Sequence, residues 1–180
     1  MTDPHLPLTT DRLVLRPYQD DDVERLLPIY SQPDVARYLL EEPWTEDYAR
    51  AEVAKRKART DLNSGERALN LIATFRGQPV AMVALWRAGE PDGCLEIGWT
   101  VDPAFSGRGF ASEAAACILH HGLATPGVHR VEAQMDGRNS ASARLAQRIG
   151  MVQEGHLRKN WWAKGEWTDT LVFASVEIMD

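Results

Sequence analysis

The sequence predicts an α+β protein in which helices pack on a mixed, mostly antiparallel β-sheet. Three observations carry this. The elements run strand, two helices and three strands of antiparallel texture, the third of which begins a strand–helix–strand–helix run that ends in a closing hairpin. The crossover within Cys94–Asp136 joins two strands through a helix, which requires a locally parallel pair. At 180 residues, with 44% hydrophobic and 26% charged side chains, the chain suits a single domain spanning residues 1–180.

The first strand is expected at Arg12–Pro17, where Leu13 and Leu15 alternate with Arg12, Val14 and Arg16. Asp20, Asp21 and Asp22 open a helix with Val23, Leu26, Leu27 and Tyr30 on one face, and Pro28 should kink or shorten it. A break at Ser31–Pro33 precedes a helical turn at Val35–Leu40. Thr45, with Glu46 and Asp47, opens a polar helix expected to reach Leu62, closed by Asn63-Ser64-Gly65. Ala68–Phe75 and Val80–Trp86 form a hairpin around Arg76–Pro79, and a turn at Gly89–Gly93 leads to a strand at Cys94–Val101. Helical spacing holds from Gly107 to Gly122 and from Asn139 to Ile149, with a strand at Arg130–Asp136 between them. The tail, Val152–Ile178, makes two strands around Ala163–Glu166.

Charge and composition exclude several functions. Lys and Arg total 20 against 26 Asp and Glu, a net charge of −6, so the chain lacks the basic face that nucleic-acid phosphates require. An anionic ligand must then be held by local geometry. The two cysteines, Cys94 and Cys117, make neither a disulfide framework nor a zinc site, and no metal is expected. No basic, apolar leader and no run of about 20 apolar residues is present, so a cytoplasmic protein without membrane contact is expected.

The most informative stretch is 101–114. A strand ends at Val101, Pro103 turns the chain, and Gly107 and Gly109 flank Arg108 where a helix begins. Glycines there let the backbone approach a ligand, while the unpaired amides and dipole of the helix start favour negative charge. The combination suits a phosphate or pyrophosphate. Dinucleotide and P-loop readings both fail: Ser112 stands where a third glycine is needed, no acidic residue follows at a strand end, and no Gly-Lys-Ser/Thr occurs.

This stretch resembles the GNAT superfamily of acetyl-CoA-dependent N-acetyltransferases. In the frame Ser106-Gly107-Arg108-Gly109-Phe110-Ala111, Gly109 and Ala111 match the superfamily signature and Ser106 replaces its Gln/Arg. Thr10–Tyr18, Glu96–Trp99, Gly107–Ala114, Arg138–Ser142, Ile149–Arg158 and Gly165–Asp169 resemble the RimJ/RimL-like ribosomal-protein N-terminal acetyltransferases in order and spacing. The resemblance implies a central sheet of about seven strands with helices on both faces and a parallel pair splayed around Val101 and Val131. It implies acetyl-CoA as co-substrate. The backbone of Val101 would meet its pantetheine arm and supply an oxyanion N–H. Ser106, Gly107, Arg108, Gly109, Phe110, Ala111 and Ser112 would hold its pyrophosphate, with Asn139 and Ser142 beside the arm. Asn139 serves equally well as a helix N-cap. Ala146 stands where many members carry a tyrosine acid.

Acetyl transfer needs a neutral amine, and Glu96 is the candidate base, on a strand between apolar Leu95 and Ile97 where partial burial raises its pKa. In the family such a glutamate often works through an ordered water. Tyr38, Trp44 and Trp161 would border the acceptor; core packing or a homodimer contact is the alternative use of these aromatics. The leading expectation is acetylation of a protein N-terminal α-amine. The alternatives are a small-molecule amine, to which the net negative charge lends slight support, and a non-catalytic acyl-CoA-binding regulator.

Overall fold

A computed structural model describes residue 3 and residues 5–89 and 93–176. Its elements are β1 (Leu8–Thr9), β2 (Val14–Pro17), α1 (Asp22–Tyr30), α2 (Pro33–Ala36), α3 (Glu46–Lys57), β3 (Thr60–Asp61), β4 (Ala68–Phe75) and β5 (Gln78–Arg87). They continue with β6 (Cys94–Val101), a 3-10 turn at Pro103–Phe105, α4 (Phe110–Leu123), β7 (Arg130–Asp136), α5 (Ser140–Arg148), β8 (Val152–Ala163) and β9 (Glu166–Val176). The nine described strands join one sheet in the order β1-β2-β4-β5-β6-β7-β9-β8, with β3 on β4. The two strands beyond the expected seven are β1 and β3, each only two residues long.

Side chains alternate along β4, and each set meets a different helical layer. Leu69, Leu71 and Ala73 pack with Phe110, Ala114 and Ile118 of α4 and Ala146 of α5. On the opposite face Ile72, with Met82 of β5, packs under Leu26, Ile29 and Tyr30 of α1 and Val53 of α3. Helices therefore cover both faces, as expected.

Some boundaries differ for identifiable reasons. Pro28 leaves α1 intact to Tyr30. The helical turn after it lies at Pro33–Ala36 instead of Val35–Leu40, because Pro33 is preorganised for a first helical turn. Helix α3 ends at Lys57, since Thr60 and Asp61 pair with Leu69 and Ala68. The expected turn at Gly89–Gly93 spans 90–92, and the expected tail strand reaches 177–178; both stretches lie outside the described residues.

The sheet is antiparallel throughout except where β6 meets β7. That parallel ladder pairs Cys94 with Arg130, Leu95 with Val131 and Glu96 with Glu132, then stops. Both strands continue, β6 to Val101 on β5 and β7 to Asp136 on β9. The pair therefore opens beyond Glu96 and Glu132, and Val131, expected at the splay, is still paired.

A candidate acetyl-transfer site at the strand opening

The opening between β6 and β7 leads into a cavity of about 740 Å³. Its walls come from Gly98, Trp99 and Thr100 of β6, Ala133 and Met135 of β7, and Asn139 and Ser142 at the start of α5. The cavity passes through the sheet to the α1–α3 face, where Tyr18, Tyr30, Glu52 and Arg56 line it. The β8–β9 hairpin closes one side with Trp161 and Thr168, which are paired in register. Its tip reaches α2, where the Lys164 ammonium donates to the Ala36 carbonyl.

Glu96 sits at the point where the strands part. Cross-strand register places it opposite Trp86 on β5 and Glu132 on β7. Burial, then repulsion from Glu132, raises its pKa above the ordinary carboxylate value, against a hydrogen bond from the Trp86 side chain. Gly98 makes room for that indole: a Cβ there would lie 3.2 Å from the Trp86 ring. The other carboxylates of the wall are committed to cations. Arg56 engages Glu52 at 3.2 Å and Glu41 at 3.4 Å, Arg59 engages Glu66 at 3.4 Å, and Arg138 engages Asp136 and Glu166 at 2.7 Å each. Among the described residues Glu96 is the wall carboxylate with no such ion pair.

The far end is organised by Arg56, a residue the sequence reading passed over. Its guanidinium donates to the Tyr30 hydroxyl at 3.0 Å and lies 4.9 Å from the centre of the Trp44 ring. Trp44 is itself buried, stacked on Tyr30 with ring centres 4.0 Å apart, and does not line the cavity. Its expected acceptor role therefore falls to packing beneath the wall. Tyr38 and Trp161 do line the cavity.

The glycine turn lies outside this cavity, on the surface beside it. Asp102 accepts from the Ala104 amide and starts the turn at Pro103–Phe105. Gly107 and Gly109 then take φ values of +74° and +80°, in the left-handed region that favours glycine. No described backbone acceptor meets the amides of 107–112, the pattern of an anion cradle at the start of α4. Ser106, Gly107, Arg108 and Gly109 are exposed, Ala111 and Ser112 half-buried. The Phe110 ring is buried, so its contribution to the cradle would be its amide. Val101 lies at the end of β6, one residue past Thr100, and lines no part of the cavity wall.

Asn139 and Ser142 occupy the cavity's other flank. The Asn139 side chain caps α5, its Oδ1 accepting from the Ser142 amide at 3.1 Å. The Ser142 hydroxyl accepts from the Trp99 indole at 3.1 Å, tying α5 to β6 across the opening. Trp99 alternates with Leu95 and Ile97 and packs on the same core as α4 and α5, and its hydroxyl partner on a distant helix leaves no local signal in the sequence. Ala146 is fully buried, so α5 presents no side-chain acid there.

Residues 12–152 match the family model described as the acetyltransferase (GNAT) domain. An uncharacterized N-acetyltransferase, YnaD of Bacillus subtilis (strain 168), is 31% identical over 94% of this chain and 96% of its own length. The ribosomal protein uS5-alanine N-acetyltransferase of Escherichia coli (strain K12) is 25% identical over 95% and 91%. The spermidine N(1)-acetyltransferase of the same organism is 20% identical over 87% and 82%. Among solved structures, RimL, a ribosomal L7/L12 alpha-N-protein acetyltransferase in complex with coenzyme A, superposes with a TM-score of 0.83. It shares 17% identity over 97% of this chain and 99% of its own. The opened strand pair, the glycine turn before α4 and the match over 12–152 agree on one conclusion: this chain belongs to the GNAT family of acetyltransferases.

Proposed function

We propose that this enzyme transfers the acetyl group of acetyl-CoA to a protein N-terminal α-amine, with Glu96 as the base. The carrying observation is that, among the described residues, Glu96 pairs with no cation at the strand opening while the other carboxylates of the wall pair with arginines.

The chain's own residues divide the work. The amides of 107–112, which meet no described backbone acceptor, and Arg108 would hold the pyrophosphate, and the open edge of β6 runs from there towards Glu96. Trp99, held by Ser142, forms part of the cavity wall. An α-amine has a pKa of about 7.7–8.0, so a carboxylate of raised pKa removes its proton with little penalty near neutral pH. A lysine amine, near 10.4, would demand a stronger base. A polyamine brings further cations, and the acceptor end offers them only carboxylates already bound to arginine. The chain's net charge of −6 is therefore not expressed as a free acidic pocket.

A thiol-release assay with acetyl-CoA, run on N-terminal peptides and on small amines including spermidine, tests the proposal. Peptide turnover is expected, and Glu96→Gln should lower kcat/KM by about 10²–10³-fold while coenzyme A affinity stays unchanged. Turnover of spermidine without peptides would assign the small-molecule alternative. Tight acetyl-CoA binding with no turnover of any amine would assign a binding protein.

A further inference from the structure

We infer that Arg12, in the turn between β1 and β2, is a phosphate-binding residue of the acetyl-CoA site. This rests on the acetyl-CoA reading given above. It adds a residue that lies nearly a hundred positions before the glycine turn.

The Arg12 guanidinium lies against the start of α4. Its Nε donates to Glu113 Oε2 at 2.6 Å, its Nη2 lies 2.6 Å from the same oxygen, and its backbone amide donates to Oε1 at 3.0 Å. Thr10 adds a hydroxyl donor to Oε1. Its Nη1 donates to the Arg108 carbonyl at 3.2 Å. Arg12 also stands 4.5 Å from the centre of the Phe110 ring, and Arg108 stands 5.0 Å from it, so one ring carries two cations.

Three consequences follow for an anion. First, Glu113 puts a negative charge in the first turn of α4, beside the amides of 107–112. Partial burial alone would raise its pKa, yet the donors from Thr10 and Arg12 hold it below the ordinary value, so it stays ionised. Unpaired, that carboxylate would repel a pyrophosphate; Arg12 cancels it. Second, the peptide bond is planar, so a carbonyl and the next amide point in opposite directions. The Arg12 contact at the Arg108 carbonyl therefore fixes the plane of the peptide that carries the Gly109 amide, just before α4 begins. Third, a guanidinium has five N–H donors, and those used here leave one free on each terminal nitrogen. The side chain is 43% exposed, and its Nη2 lies 3.4 Å from where a Cβ of residue 109 would stand. Glycine at 109 therefore keeps the free donors open to the surface of the turn.

The test compares coenzyme A with S-acetyl-pantetheine, which ends before the pyrophosphate, by calorimetry on the full chain. Arg12→Ala should weaken coenzyme A binding about tenfold or more and leave S-acetyl-pantetheine within about twofold, as expected for losing a charge-assisted hydrogen bond. Unchanged coenzyme A affinity overturns the inference. So does an equal loss with both ligands, which would mean that Arg12 only holds the fold. Should the alanine variant not fold, Arg12→Gln removes the charge while keeping part of the side chain's packing on Phe110, with the same two overturning results. Wild-type protein that binds neither ligand would instead refute the acetyl-CoA reading itself.

Discussion

At the scale of single residues, the site is set by what surrounds Glu96 rather than by Glu96 alone. A glutamate between Leu95 and Ile97 was readable as a half-buried base candidate because strand alternation is local. Its partners were not readable, since Trp86 and Glu132 reach it only through cross-strand register. Glu132 is paired with Arg130 at 3.3 Å and lies next to Glu96 across the parallel ladder. Burial is the larger cause of the raised Glu96 pKa and Glu132 the second, so Glu132→Gln should lower it without returning it to the ordinary value. The base then ionises at lower pH. The acidic limb of the pH profile of kcat/KM should move to lower pH, with the plateau little changed. A limb that stays in place would show that Glu132 does not act on the proposed base. Trp44 shows the converse failure: an aromatic near the expected acceptor region reads as wall, but its stack on Tyr30 takes it into the core.

At the scale of elements, legibility followed the range of the forces involved. Strands β4, β6 and β7 match the expected residues throughout, because continuous apolar or alternating runs specify them locally. The two-residue strands β1 and β3 exist only through their partners β2 and β4, and no periodicity of two residues can announce them. Helix α3 was expected to be longer for the same reason: Thr60 and Asp61 leave the helix to pair with β4. Helix α5 joins both kinds of information. Asn139 was legible as a cap, and the structure shows that capping the Ser142 amide also sets the hydroxyl that receives the Trp99 indole. Asn139→Ala should cost about 1 kcal/mol of stability through the lost cap. It should also raise KM for acetyl-CoA more than it lowers kcat, because the displaced element is the wall of the opening and not the base. Calorimetric melting with steady-state kinetics checks both, and a loss confined to kcat would argue against this placement.

At the scale of the whole molecule, the proposed function and stability pull in opposite directions at one carboxylate. Glu113 and Asp136 have pKa values held below their ordinary 4.5 and 3.8, chiefly by hydrogen bonds from Thr10 and Arg12 and from Arg138. A lowered carboxylate stabilises the fold fully above its unfolded pKa, and that stabilisation is lost as pH falls through the folded value. Glu96 has the opposite sign. Burial beside Glu132 disfavours its charge in the folded state, so above its raised folded pKa it costs stability. That cost disappears as pH falls below its unfolded value of about 4.5. Splitting β6 from β7 creates the cavity and at the same time brings a carboxylate into it without a counter-charge. The expected outcome is that Glu96→Gln melts at a higher temperature than wild type at pH 8, while being nearly inactive. The gap should hold as pH falls to the raised folded pKa of Glu96 and then close towards pH 4.5, below which both proteins lose stability together as Glu113 and Asp136 protonate. Melting curves of the two proteins across that pH range decide it. A Glu96→Gln variant less stable than wild type at pH 8 would mean that the ionised carboxylate has a stabilising partner, against the role proposed for it as the base.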